Sequence, residues 1–172
     1  MRFRRILLVN PPDVDASLFD WATAKRGRAN NYPAYGLGVL ARHLLDNGFE
    51  PEILNLNHEL LKEVYKSNLQ IDYDLTWKAI LAQEVASFKP DFIGVTCLFS
   101  VTHNSLVAIC HELRRLTTVP LCIGGVHVTH DVDRVMQETG VDYAFLNESE
   151  QAFIDFLKDG KLTQVVTKNG KY

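Results

Sequence analysis

The 172-residue sequence has no block of Lys and Arg: 18 basic residues are scattered among 21 acidic ones, for a formal net charge of −3. Phosphate backbones are held by concentrated positive charge, so nucleic acid is not an expected partner. The short run Met1-Arg-Phe-Arg-Arg5 reads instead as a solvated lead-in to a strand. The chain also lacks the roughly 18 consecutive apolar residues of a membrane span, and no signal-peptide core follows its N-terminus. A cytoplasmic chain with no membrane partner is expected. Cysteine is scarce, with Cys97, Cys110 and Cys122 lying 13 and 12 residues apart. That spacing gives neither a zinc pattern nor an even disulfide set, which leaves small buried hydrophobes in a reduced compartment.

Two catalytic signatures are missing as well. Gly-x-Ser-x-Gly, the nucleophile elbow of a hydrolase, does not occur. Gly-x-Gly-x-x-Gly does not follow the first strand, where the sequence is Asn10-Pro11-Pro12, and Gly36-Leu-Gly38 comes too late and without a third glycine. A receiver domain would need paired acids after strand one and an aspartate ending strand three. Asp13 and Asp15 satisfy the first condition, but Thr96-Cys97 stands where the phosphoacceptor would be. No catalysis is expected from this chain alone.

What is present is an alternation. Arg5-Ile-Leu-Leu-Val9 is a continuous apolar run of the kind expected for a strand covered on both faces. Residues 13–33 are polar and give no clear element. Leu37, Leu40, Ala41, Leu44 and Leu45 then mark a helix stopped by Asn47-Gly48. Further strands are expected at 52–56, 92–96, 120–123 and 143–146, with helices at 58–65, 76–88, 104–116, 131–139 and 149–158. Trp77, Ile80, Leu81, Val85 and Phe88 form the expected buried stripe of the helix at 76–88. The pattern predicts an α/β domain over residues 1–160: a doubly wound, five-stranded parallel sheet in three layers, flavodoxin-like or Rossmann-like. Residues 161–172 read as a tail closing in a hairpin-like turn at Lys168-Asn-Gly-Lys-Tyr172.

Ligands of such sheets sit outside the carboxyl ends of the strands, where strand order reverses. The residues there are unusual. Pro120-Leu-Cys-Ile-Gly-Gly-Val-His-Val-Thr-His130 runs from an apolar strand into a double glycine, which lets another backbone or a flat ligand approach closely. Thr96, Cys97, Leu98, Phe99 and Ser100 follow strand three, a mixture of hydroxyls and exposed apolar groups suited to a large amphipathic ligand. Thr102 reads equally as a helix N-cap. His127 reads either as a ligand-facing group or as a histidine bonded to backbone.

These residues carry a resemblance. Gly94-Val-Thr-Cys-Leu98 followed by Val119-Pro-Leu-Cys-Ile-Gly-Gly125 resembles the cobalamin-binding domain of B12-dependent enzymes. There a hydroxyl residue and a leucine two positions on line the slot for the cofactor's nucleotide tail, and a Gly-Gly lies against it. Thr96, Leu98, Gly124 and Gly125 match those positions. Ile6-Leu-Leu-Val-Asn-Pro-Pro12, Tyr32-Pro-Ala-Tyr-Gly-Leu-Gly38, Gly124-Gly-Val-His-Val-Thr129 and Asn147-Glu-Ser-Glu150 are together similar to the N-terminal half of B12-binding radical SAM proteins, the group of methyltransferases and the anaerobic magnesium-protoporphyrin ester cyclase. The resemblance implies a cobalamin-binding module. Asn10, Pro11 and Pro12 would form the floor under the ring, with Thr96, Cys97, Leu98, Phe99 and Ser100 on one side of the tail. Gly124, Gly125, His127 and Thr129 would stand on the other, and Glu148 and Glu150 would rim the slot.

Two departures qualify what the resemblance implies. Cobalamin mutases and methionine synthase place a lower-ligand histidine after strand one, whereas this loop is Asn10-Pro-Pro-Asp-Val-Asp15, which implies base-off cobalamin without an imidazole from that loop. The Cys-x-x-x-Cys-x-x-Cys triad is absent, so an iron–sulfur cluster and SAM would belong only to a separate radical SAM barrel, in cis or in trans. The alternative is a doubly wound partner or regulatory domain that has lost the cofactor.

Overall fold

The structure is a computed structural model that describes residues 3–168 and 170–171, the last by its backbone alone. Strands β1 (Arg5–Asn10), β2 (Glu50–Asn55), β3 (Phe92–Thr96), β4 (Leu121–Gly124) and β5 (Tyr143–Phe145) form the expected parallel sheet in the order β2-β1-β3-β4-β5. Two short strands extend it. β6 (Val165–Thr167) pairs antiparallel with β5, and β7 (Gly170–Lys171) with β6, giving seven strands rather than five. Residues expected as a tail therefore continue the sheet: Val165 and Val166 are buried apolar groups that cover the β5 edge. The hairpin expected at Lys168–Tyr172 shows its antiparallel pairing, while Asn169 and Tyr172 lie outside the described residues.

Helices α1 (Trp21–Lys25), α2 (Tyr35–Asp46), α3 (Leu56–Lys66), α4 (Tyr73–Phe88), α5 (His103–Leu116), α6 (Val126–His130), α7 (Val132–Thr139) and α8 (Glu150–Asp159) fill the crossovers. In α4 only Trp77 and Leu81 are buried, while Ile80, Val85 and Phe88 pack half-buried against the core. The helix expected at 131–139 is preceded by the separate short α6, and a 3₁₀ turn at Ser100–Thr102 leads into α5.

Strand alternation divides the core into two layers. Leu7, Val9, Ile93, Val95, Leu121, Ile123 and Ala144 face the layer that holds Leu60, Leu81, Ile109 and Leu113 from α3, α4 and α5. Ile6, Leu8, Phe92, Cys122 and Phe145 face α2 and α8, which contribute Leu37, Ala41, Leu44, Phe153 and Phe156. At the base of this second layer Phe92 lies within 5.8 Å, centroid to centroid, of both Phe153 and Phe156. Each such ring contributes about 1.5–3 kcal/mol by leaving water. The face is filled at its amino end and open at its carboxyl end, which positions the site.

Candidate functional site

The opening follows from which residues point toward α2 and α8. On β3 the facing positions are Phe92, Gly94 and Thr96; on β4 they are Cys122 and Gly124, with Gly94 paired to Cys122 and Thr96 to Gly124. Two adjacent strands thus carry glycine where side chains would otherwise fill the gap between the helices. A narrow slot of about 200 Å³ results, floored by Gly94, Gly124 and Cys122 and walled by Leu37, Leu40, Phe145 and Phe153. Its polar groups stand at the mouth: Thr96, Asn147, Ser149 and Glu150. The Thr96 hydroxyl has no side-chain hydrogen bond among the described residues, which leaves it available to a ligand.

A broader cleft of about 540 Å³ lies across the carboxyl ends of β1 and β3, the point where strand order reverses. Asn10, Pro11 and Thr96 contribute from the strand ends, Tyr35 from α2, and Leu98 and Phe99 from the β3 loop. Its rim is apolar and open to solvent: Tyr32, Tyr35 and Phe99 are 72%, 82% and 65% exposed. The Asn10 side-chain N–H groups donate hydrogen bonds to the Pro11 carbonyl (3.1 Å) and Asn55 Oδ1 (3.2 Å). Burial pushes the Asp13 carboxyl, also in this cleft, above its usual range. Cleft and slot share Gly36, Leu37, Thr96 and Leu98, so they form one continuous surface that turns from a platform into a channel.

The double glycine serves two separate purposes. Gly124 lines the slot, and a Cβ there would meet only ordinary contacts at 3.6 Å and 4.0 Å from Phe145. Gly125 has φ +115° and a Cβ there would stand 2.5 Å from the Cys97 carbonyl oxygen. It gives room chiefly to the β3 loop, which is pinned by the Cys97 N–H donating to the Gly124 carbonyl (2.8 Å) and the His127 N–H donating to that of Cys97 (3.2 Å).

Several residues expected in the site stand behind it. Cys97 is buried, its thiol 3.2 Å from the Thr102 hydroxyl. Pro12 lies away from both clefts, beside Asp15 and Tyr73. The Thr129 hydroxyl accepts from the Asn147 N–H (2.9 Å) and so holds the β5 loop at the slot mouth. Glu148 is exposed and lines neither cleft, whereas Glu150 does line the slot.

Ser100 and His127 belong to a hydrogen-bonded relay whose two imidazoles are buried and whose ends, Ser100 and Glu138, are exposed. His127 Nδ1 is 3.3 Å from Ser100 Oγ and its Nε2 is 2.9 Å from His103 Nδ1, while His103 Nε2 is 2.7 Å from Glu138. Arg134 Nε donates to the same carboxylate at 2.8 Å. With both imidazoles neutral, the carboxylate can only accept, so His103 carries its proton on Nε2 and accepts from His127 at Nδ1. His127 in turn accepts from the Ser100 hydroxyl. Burial, and next the neighbouring His103, hold His127 below the usual imidazole range.

Slot walls such as Leu37, Leu40, Phe145 and Phe153 were not legible as site residues, because they sit at regular core-facing positions of α2, β5 and α8. Gly36 and Asn147 lie in motifs that carried the resemblance but had no assigned role.

Fold and site together define a class: a doubly wound binding module for a ligand with a broad flat body and a narrow appendage. Residues 25–157 match the B12 binding domain family, and the chain belongs to it. Tryptophan 2-C-methyltransferase of Streptomyces laurentii is 25% identical over an alignment of 133 residues that covers 72% of this chain and 20% of that protein. The radical S-adenosylmethionine methyltransferase TsrM from Kitasatospora setae, solved with cobalamin and a [4Fe-4S] cluster, superposes with a TM-score of 0.69 at 23% identity, covering 98% of this chain and 28% of that one. A cobalamin-binding protein from Desulfitobacterium hafniense shares the fold at a TM-score of 0.55 and 15% identity, over 89% of this chain and 58% of that one. The chain thus spans between 20% and 29% of the methyltransferases it resembles. No helix among the described residues is long and apolar enough to cross a membrane.

Proposed function

We propose that this domain holds cobalamin with the corrin ring over the cleft at the ends of β1 and β3 and the nucleotide tail in the slot between α2 and α8. The observation that carries the reading is the continuity of platform and channel through Gly36, Leu37, Thr96 and Leu98. Glycine at a facing position on each of two adjacent strands opens the channel, and a bulky side chain at either would extend into it. Thr96 offers a free hydroxyl at the mouth to the amide and phosphate groups of the tail. Asn10 and Pro11 lie on the platform floor.

None of the six histidines lines either cleft, so no imidazole of this chain stands where it would replace the base beneath the cobalt. The base-off state follows from seating the tail in the slot. When bound, the cofactor supplies a cobalt centre able to carry a methyl group. The chain's own residues orient the ring, sequester the tail and leave the outer face open. The exposed Tyr32, Tyr35, Phe99 and Val101 around that face suit the covering of the site by a radical SAM barrel, in cis or in trans, as part of a cytoplasmic methyltransferase. SAM and an iron–sulfur cluster would belong to that barrel, since Cys97, Cys110 and Cys122 are each buried and free.

Mixing the domain with hydroxocobalamin, desalting and recording the visible spectrum tests the reading. Stoichiometric corrinoid absorbance retained with the protein is expected. A colourless protein fraction overturns it and leaves a partner domain without cofactor.

A further inference from the structure

The inner slot differs in chemistry from its mouth. Leu8, Leu37, Leu40, Phe145 and Phe153 surround it, and the Phe145 and Phe153 rings meet edge to face at 5.0 Å. The backbone groups of Gly94 and Gly124 that could serve a ligand lie along paired strands, and the Cys97 N–H already occupies the Gly124 carbonyl. The one heteroatom side chain on the floor is the Cys122 thiol. Burial raises it well above its usual range, so it stays protonated and is at most a weak donor. The polar groups, Thr96, Asn147, Ser149 and Glu150, belong to strand-end loops and the first turn of α8, at the mouth.

We infer that the slot selects among corrinoids by their lower base, taking a benzimidazole-type base and discriminating against a purine-type one. The inference rests on the proposed seating of the tail. A dimethylbenzimidazole presents two methyl groups and a hydrocarbon edge, which gain by leaving water for leucine and phenylalanine. Adenine presents an exocyclic amine and additional ring nitrogens, and the slot wall offers them no donor or acceptor. Leaving a buried amine without a partner costs on the scale of about a tenfold loss of affinity or more. Leu40, half-buried on α2, is the wall position where a polar group can be introduced with least disturbance of the core.

The test measures equilibrium binding of three corrinoids to the domain: cobalamin with its dimethylbenzimidazole base, the corresponding adenine cobamide, and cobinamide, which has no nucleotide. Cobalamin should bind at least about tenfold more tightly than the adenine form, and Leu40→Gln should narrow that gap. Equal binding of the two cobamides, both tighter than cobinamide, would show the base in the slot without selection and overturn the inference alone. A gap that Leu40→Gln leaves unchanged would remove the slot wall as its source. Cobinamide binding as tightly as both would overturn the seating of the tail together with the inference, and no binding at all would overturn the proposed function. The wild-type comparison carries the test if the variant fails to fold.

Discussion

The carbonyl of Cys97 lies where a side chain on Gly125 would begin: a Cβ built there falls 2.5 Å from the oxygen and 2.9 Å from its carbon. The loops after β3 and β4 are therefore locked backbone to backbone before any ligand is considered. Gly125→Ala has to move that carbonyl, which accepts from His127 N–H, and has to adopt φ +115° with a side chain. A loss of about 2–4 kcal/mol in urea unfolding is expected.

Gly124 gives the opposite result. Its added Cβ meets Phe145 only at ordinary contact distance, and the residue ends a strand with no left-handed backbone. Gly124→Val should leave stability within about 1 kcal/mol of wild type by urea unfolding, yet cut corrinoid retention at least about tenfold by filling the slot floor. These two outcomes would separate, between neighbouring glycines of one motif, a folding requirement from a binding one.

Stability should depend on pH through His127. Its ring faces His103 and Ser100, with Asp131, Arg134 and His130 nearby. The unfolded imidazole takes up its proton near about pH 6.5, while burial and His103 delay that step in the folded protein to lower pH. Between those values the unfolded state binds more protons, so stability is complete above about pH 6.5 and declines as pH falls through that window. Urea midpoints measured at about pH 7.5 and about pH 5.5 should show the drop, and His127→Gln should reduce it.

Lys25 ties the last residue of α1 to the end of α3, its ammonium donating to the carbonyls of Val64 (3.2 Å), Tyr65 (2.8 Å) and Ser67 (2.6 Å). Those are helix-end carbonyls with no partner inside the helix. Lys25→Met should cost about 1–2 kcal/mol in unfolding and leave corrinoid retention unchanged.

How much of this was legible in the sequence depended on how local the cause was. Strands β1, β3, β4 and β5 were readable because each is a short apolar run bounded by turn residues, and α2 because Leu37, Ala41 and Leu44 repeat at helical spacing. Strand β2 was readable only through Ile53 and Leu54, so that it was expected at 52–56 and stands at Glu50–Asn55. Helix α1 was not, since five residues started by an Asp20 cap to the Thr23 N–H leave no periodicity to detect. Nor were β6 and β7, whose short segments become strands by completing the β5 edge. At the site, Thr96, Leu98 and Gly124 could be read from a motif at a strand end. The role of Gly125 could not, because the atom it makes room for belongs to Cys97 in the loop after β3. His127 was indistinguishable in sequence from a ligand-facing residue; its partners Ser100, His103 and Glu138 come together only through the packing of α5, α6 and α7.

In the proposed seating the nucleotide tail leaves the cobalt and enters the slot beside Gly94 and Gly124. Electron paramagnetic resonance of the domain loaded with cob(II)alamin tests it directly, because an axial base nitrogen splits the cobalt signal into triplets. This splitting, present in the free cofactor at neutral pH, should be lost on binding to the wild-type domain. Triplets that persist in the bound cofactor would place the base on the cobalt and contradict it.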